Sequence, residues 1–412
     1  MSWPAVLKKQ RDTSYVVEQA RAHYDACIEQ DLMQANFHAR DGKRVTLEDG
    51  REVTEFINCS YFGFDTLPAV IAGAQKVVAE YGVHFCCARS RLTIDPNREL
   101  EAGLCHLFGG RAITFPSVTS AHMSALPLVA SGVLLPARLR RPVRFVFDRS
   151  AHASMQYLKP VLAQEARVET IDHNAMDQLA AHAVEAKAEG ETAVYVADGV
   201  YSMGGLCPLD ALLALSKEHD LFLYLDDAHG TSIFGERGEG YVISKLGGAQ
   251  LPDNLVVAYS LAKGFGTNGG GVVVPTLEQE RLVRSFGQTY AFSGPLDFAI
   301  VGAALEVLKL HEDGTVRKLQ HALREKVGWF DALIPPPDDA FSPIRMVEVG
   351  EADRAIALGR YLLEQGHFVS VAFFPVVPRG RAQLRVCLTN QHSREQIEAL
   401  GAAIKQGLAS LA

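Results

Sequence analysis

Two hydrophobic periodicities divide the chain. Apolar, largely β-branched runs recur at 143–147 (VRFVF), 193–197 (AVYVA), 221–225 (LFLYL), 255–259 (LVVAY) and 271–274 (GVVV). They are continuous rather than alternating, the pattern of strands buried on both faces. Between several of them, segments such as 174–188 and 208–219 carry helical spacing. Strands alternating with helices predict an α/β fold, a mainly parallel sheet with helices on both sides. Upstream, residues 14–36 read as one or two amphipathic helices, and "KRVTLEDGREVTEFIN" (43–58) as a hairpin turning at Asp49-Gly50. Near 295 the texture changes. A long helix over 297–326 leads into the Pro-rich "IPPPDDAFSP", followed by a strand (344–349), a helix (352–366), a strand pair around 367–388 and a last helix (393–410). The expected organisation is an N-terminal helical and hairpin arm (1–55), a large domain (56–295) and a smaller α+β domain (296–412).

Composition narrows the function classes. With 412 residues, 48% hydrophobic and 21% charged, the chain has the makings of a two-domain soluble globular protein. No apolar run reaches the ~18 residues of a membrane helix, so no membrane span is expected. The start, "MSWPAVLKKQRDTSYVVEQ", lacks the apolar centre of a secretory signal. Seven cysteines, an odd number without metal-type spacing, read as reduced thiols in a cytoplasmic protein with no metal centre, adjacent Cys86 and Cys87 being small hydrophobes. The net charge is −8 and the densest basic segment, "RLRRPVR" (138–144), runs into a strand, so nucleic acid is not the expected partner. Local positive pockets for an anionic substrate remain compatible with that total.

The stretch "LAKGFGTNGGGVVVP" (261–275) contains G-x-G-x-x-G at Gly264, Gly266 and Gly269. In a dinucleotide site that pattern opens a helix; here a buried strand follows, and Lys263 stands directly before the glycines. Ligands of open α/β sheets gather at the carboxyl ends of strands. VRFVF is followed by Asp148 and His152, AVYVA by Asp198, LFLYL by Asp226, Asp227 and His229, and LVVAY by Ser260 and Lys263. A lysine with a lowered pKa forms Schiff bases. An acid at a strand end suits a pyridinium nitrogen, and a histidine suits an aromatic ring. Together these residues imply pyridoxal phosphate (PLP) chemistry. "DDAH" (226–229) occurs without any G-x-x-x-x-G-K-[ST], so nucleotide hydrolysis has no phosphate cradle.

The chain resembles the α-oxoamine synthases over about 45–408. "LDDAHGTSIFGERGEG" (225–240) is similar to the family's D-[DE]-A-H-x-x-G-x-x-G-x-x-G-x-G, with Ser232 in place of the first glycine after the histidine, and "SLAKGFG" (260–266) to its T-x-x-K-x-x-G. "DRSAHAS" (148–154), "DGVYSMGG" (198–205), "SPIRMVEVG" (342–350) and "FPVVPRGRAQLRVCLTNQH" (374–392) follow in the family's order. The resemblance implies a fold-type-I, aspartate-aminotransferase-like PLP transferase that condenses an amino acid with an acyl thioester, carried on coenzyme A or an acyl-carrier protein, and releases carbon dioxide. It implies that Lys263 carries the cofactor and moves the Cα proton, and that Asp226 pairs with the pyridine nitrogen. His229 would hydrogen-bond the ring oxygen, His152 stack over the ring and Ser202 contact the ring-oxygen side. Ser260 would hold the phosphate, and Arg385 the amino-acid carboxylate by a bidentate contact. The family is a homodimer with shared sites, so "YAFSGPLDF" (290–298), with Ser293 and Gly294, is expected to reach the neighbour's phosphate. His84, His106 and His122 are assigned no catalytic role.

The N-terminal third departs from the family. S-N-D-Y-L-G is here "NCSYFG" (58–63), so the substrate-side asparagine falls on Cys59 or slides to Asn58. S-G-Y-x-A-N is "SVTSAH" (117–122), where the amides of Val118 and Thr119 remain for phosphate. G-T-x-x-x-H-x-x-L-E is "LTIDPNRELE" (92–101), and S-T-[SA]-x-P becomes "SGPLD" (293–297), with Gly294 for threonine. These changes cluster where substrates enter, and point to a specialised pathway rather than housekeeping biotin or haem synthesis. Two alternatives stand beside condensation: another fold-type-I PLP reaction, aldol cleavage or transamination, and a non-catalytic partner subunit.

Overall fold

The structure is a computed structural model that describes residues 13–139, 142–248, 250–337 and 340–411. The first twelve residues of the expected arm, and parts of the "RLRRPVR" and "IPPPDDAFSP" segments, lie outside the described residues. The chain forms two compact units, one drawn from residues 1–58, 325–339 and 343–412, the other from 59–324 and 340–342. The boundaries differ from the expected ones in two ways. The N-terminal hairpin is no separate arm but shares a unit with the C-terminal segment. The apolar helix Phe298–Glu312 belongs to the larger unit, and the division falls inside the next helix, Thr315–Asp331. The single long helix expected over 297–326 is broken at Gly314, whose φ of +81° ends one helix before the next begins.

In the smaller unit, strands β1 (Phe37–Asp41), β2 (Arg44–Leu47) and β3 (Glu52–Glu55) form an antiparallel meander, with the turn at Asp49-Gly50 as the sequence suggests. The larger unit holds β4 (Arg111–Phe115), β5 (Val143–Asp148), β6 (Arg167–Ile171), β7 (Thr192–Asp198), β8 (Phe222–Asp226), β9 (Leu255–Ser260) and β10 (Gly270–Val274). These make one seven-stranded sheet in the order β4-β10-β9-β8-β7-β5-β6. Only β10 runs against the others, antiparallel to both β4 and β9. Every residue of β5, β7, β8, β9 and β10 is buried, which is why these runs are continuously apolar.

Helices cover the sheet. Two of them, Pro68–Tyr81 and Phe298–Glu312, approach so closely that a Cβ on Gly302 would lie 2.2 Å from the carbonyl oxygen of Gly73. Back in the smaller unit, β11 (Ile344–Gly350), β14 (Ala382–Cys387) and β13 (Ser370–Ala372) form a second antiparallel sheet. The intervening β12 (His367–Phe368) instead runs parallel to β3, His367 facing Thr54, and completes a four-stranded sheet with the N-terminal meander. A buried knot anchors the end of β3. Lys43 Nζ donates to Glu55 Oε1 at 2.8 Å, and the amides of Ile57 and Asn58 donate to Glu55 Oε2 at 2.9 Å. His392 stacks on Phe56 with centroids 4.2 Å apart, and its Nε2 donates to the Glu55 carbonyl at 2.9 Å. Among the described residues no helix is long and apolar enough to cross a membrane.

Candidate active site

The register of the large sheet assembles one row of strand ends. Gly270 pairs with both Ser260 and Phe115, Asp198 faces Asp226, and Asp148 faces Ile171. The row therefore carries Ser117 beyond β4, Ser260 and Lys263 beyond β9, Asp226 to His229 beyond β8, Asp198 to Ser202 beyond β7 and His152 beyond β5, all within the larger unit.

The glycine-rich stretch is a strand-to-strand turn between β9 and β10. Leu261 N donates to the Gly269 carbonyl at 3.0 Å, and Gly266 N donates to the Lys263 carbonyl at 2.8 Å. This turn fixes Lys263 at the end of β9, half-buried. Gly270 has no room for a side chain: a Cβ there would lie 2.5 Å from the Tyr259 carbonyl and 2.6 Å from Val118 Cγ2. That close approach brings the start of β10 against the helix Val118–Ala130. Ser117 caps the helix, its side chain accepting from Ser120 N at 3.1 Å. The first-turn amides, including those of Val118 and Thr119, have no intrahelical acceptor. Ser260 Oγ accepts from Ala262 N at 3.1 Å.

Asp226 is the electrostatic centre. Its Oδ1 accepts from Ala228 N at 2.9 Å and its Oδ2 from His122 Nε2 at 3.0 Å. Burial pushes its carboxyl pKa up, but the hydrogen bond from His122 and the charges of His122, Lys263 and His152 outweigh this and hold it well below the usual carboxylate range. Asp198, its register partner, moves the other way: burial and the Asp226 charge push its pKa well above the usual carboxylate range, so ionisation falls on Asp226 before Asp198. The same Asp198 accepts from His152 N at 2.9 Å through Oδ1, and His152 Nδ1 lies 2.7 Å from Ser154 Oγ. The charge of Lys263 lowers the pKa of Asp198, Asp226 and Asp227 alike, so its amine lies within electrostatic reach of all three carboxylates.

His229 is buried, and its Nδ1 is hydrogen-bonded to the hydroxyl of fully buried Tyr61 at 2.9 Å. Ser202 sits half-buried in the turn after β7, where Gly204 and Gly205 take φ of +87° and +89°. Ser293 donates to the Thr289 carbonyl; Thr289 in turn meets Ser124 Oγ at 2.7 Å and donates to the Ser120 carbonyl. The 289–294 segment, Gly294 included, is thereby tied to the helix that begins at Val118. Asn58 and Arg385 belong to the smaller unit. Arg385 lies in β14 between Met346 and Ser370, its Nη1 donating to Cys387 Sγ at 3.1 Å.

Four residues were missed or misjudged from sequence. His122, assigned no role, touches Asp226; the only signal was its place at the end of "SVTSAH". Tyr61, which holds His229, stood in the quoted "NCSYFG" without being singled out. Cys87 is exposed and Cys86 half-buried, not the two packed small hydrophobes expected. Ser232 replaces a family glycine at a left-handed position, φ +68°, and its Oγ pairs with His311 Nε2 at 3.2 Å.

A lysine amine beside an ionised buried carboxylate, with a helix N-terminus and a serine hydroxyl at the neighbouring strand ends, is the donor set that PLP requires for aldehyde, ring nitrogen and phosphate. Fold and site together define a fold-type-I PLP-dependent transferase. Residues 99–404 match the aminotransferase class I and II family. The chain is 33% identical over 370 residues to 8-amino-7-oxononanoate synthase from Pseudomonas syringae pv. tomato, covering 87% of each. It is 32% identical over 370 residues to the enzyme of that name from Nitrosococcus oceani, covering 87% of this chain and 93% of that one. Among solved structures, serine palmitoyltransferase from Sphingomonas wittichii superposes with a TM-score of 0.83 at 24% identity, covering 97% of this chain and 99% of that one. The chain belongs to the α-oxoamine synthase family, whose members are PLP-dependent acyltransferases.

Proposed function

We propose that this chain condenses an amino acid with an acyl thioester, on coenzyme A or an acyl-carrier protein, releasing carbon dioxide and an α-aminoketone in a specialised biosynthetic pathway. The observation that carries this reading is buried Asp226, held in its ionised form by its His122 hydrogen bond and by the nearby charge of Lys263. PLP, when bound, supplies an electron sink for the charge left when the substrate Cα loses a proton. The chain's own residues do the rest. Lys263 Nζ would anchor the cofactor's aldehyde and, once freed by the substrate amine, would move the Cα proton. Asp226 keeps the ring nitrogen protonated. His152, whose backbone amide is held by Asp198, would pack over the ring, and Ser202 would meet the ring-oxygen side. His229, oriented by Tyr61, hydrogen-bonds the ring oxygen and the acyl carbonyl. Ser260 and the amides of Val118 and Thr119 hold the phosphate. Arg385 takes the amino-acid carboxylate, and Asn58 is assigned to the substrate side.

The active form is proposed to be a homodimer in the cytoplasm, with Ser293 and Gly294 directed to the neighbour's phosphate. The test is a screen of amino acids against acyl thioesters that records free thiol and carbon dioxide together. Their stoichiometric joint release supports condensation; a keto acid without thiol supports transamination instead. Purified protein should absorb near ~420 nm, and Lys263→Ala should abolish trapping of PLP by borohydride. Equal trapping in the variant overturns the lysine assignment.

A further inference from the structure

His122 has the structural setting of a functional group. It is fully buried, in the helix whose first turn faces the candidate phosphate site, at the position where the related family motif carries asparagine. Its two ring nitrogens are both engaged. Nε2 donates to Asp226 Oδ2 at 3.0 Å, and Nδ1 is hydrogen-bonded to the hydroxyl of Tyr224 at 2.8 Å. Tyr224 and Asp226 lie two residues apart in β8, so their side chains leave the same face of the strand. The imidazole therefore bridges two points of one strand, and cannot rotate without breaking one contact. Ala228 N engages the other carboxylate oxygen. Each Asp226 oxygen thus accepts one donor from a fixed element, and the carboxylate plane is set by them jointly.

We propose that His122 is a positioning residue for Asp226, holding its carboxylate in one orientation and in the charged form that the cofactor's pyridine nitrogen needs, with Tyr224 fixing the imidazole in turn. The inference rests on the PLP reading of the site and extends it to a third-layer chain, Tyr224 to His122 to Asp226. An imidazole spans from the helix to the strand, whereas the shorter asparagine of the related motif has no second ring nitrogen to reach Tyr224. The arrangement is thus a feature of this chain's own sequence. Charge-assisted hydrogen bonds of this kind carry about 10- to 100-fold in an equilibrium.

The test loads the full-length protein with PLP labelled with ¹⁵N in the ring and follows that nitrogen's resonance between about pH 6 and 9, alongside PLP affinity measured by fluorescence. The wild type should show a protonated ring nitrogen throughout. In His122→Leu the resonance should move toward the neutral pyridine position within that range, and PLP affinity should fall about 10- to 100-fold. His122→Gln, which keeps a donor at the reach of Nε2, should restore most of both. A folded His122→Leu with the wild-type resonance across the range and affinity within about twofold overturns the proposal. Should that variant not fold, Tyr224→Phe decides: its resonance should shift the same way by less, and an unmoved resonance overturns the proposal. Failure of the underlying reading looks different, because the wild type itself would then take up no PLP.

Discussion

Asp198 and Asp226 face each other across β7 and β8 at the ends of adjacent strands, and their carboxyl pKa values are pushed in opposite directions, Asp198 up and Asp226 down. Two buried carboxylates this close cannot both carry charge cheaply. The donors decide which one does: Asp226 accepts from His122 and from Ala228 N, Asp198 from the His152 amide, and the charge of Lys263 acts on both. Asp198→Asn should therefore be mild, about threefold in kcat, since the native carboxyl is already biased toward its neutral form and the amide oxygen still accepts from His152 N. Asp226→Asn should cost on the order of 10²-fold or more. Steady-state thiol release checks the pair, and equal losses would refute the division of charge.

Tyr61 is the structural partner of His229. Tyr61→Phe keeps the ring and removes the hydroxyl. Turnover should fall about tenfold with little change in PLP affinity, as expected when a group that orients an acid–base residue is lost. A PLP titration beside the kinetics separates this from a general loosening of the pocket.

Arg385 is assigned a planar carboxylate. Arg385→Lys keeps the charge and loses the two-pronged donor, so KM for the amino acid should rise about 10- to 100-fold while KM for the thioester stays near the wild-type value. A uniform rise in both constants would argue that Arg385 serves only its own sheet.

The helix crossing at Gly73 and Gly302 leaves no space for a methyl group. Gly302→Ala should lower stability by about 3 kcal/mol, because the new carbon meets a backbone oxygen rather than a flexible side chain. Urea denaturation measures this directly.

Two buried histidines set an acid limit. Burial lowers the pKa of His392 to about 3 and of His311 to about 4, both from 6.5. Protons then bind the unfolded chain more readily than the folded one, so stability is full above about pH 6.5 and falls as pH drops toward about 4. Between pH 8 and pH 5 the loss should be about 2 kcal/mol for each histidine. His392→Gln should flatten its share of that slope in urea melts taken across the range.

Much of this was legible because chemistry and burial left local marks. β5, β7, β8, β9 and β10 were readable as strands because both faces are buried, so nearly every residue up to the functional one at the end is apolar, aromatic or small, buried Arg144 in β5 being the exception. The two edge strands of the sheet were not. β4 opens on exposed Arg111, and β6 exposes Arg167 and Thr170 with Glu169 half-buried between them, which dilutes the apolar signal. The strand-end residues Asp226, His229, Ser260 and Lys263 were legible from motif and position together. His122 was not, because a lone histidine in a helix has no periodic signature, and its meaning comes from β8, more than a hundred residues later. The domain boundary was misplaced because Phe298–Glu312 is apolar enough to look like the start of a new core, whereas it packs on Pro68–Tyr81.

The pairing of β3 with β12 joins segments more than three hundred residues apart in the chain. During synthesis the N-terminal meander emerges early but its fourth strand is among the last made, at about 5–20 residues per second. For tens of seconds it waits on the ribosome with an open edge, while the contiguous 59–324 stretch has all it needs to collapse around its own sheet. Protease digestion of stalled nascent chains should find that stretch protected before the segment that precedes it, so the order in which this protein acquires its shape is not the order in which it is written.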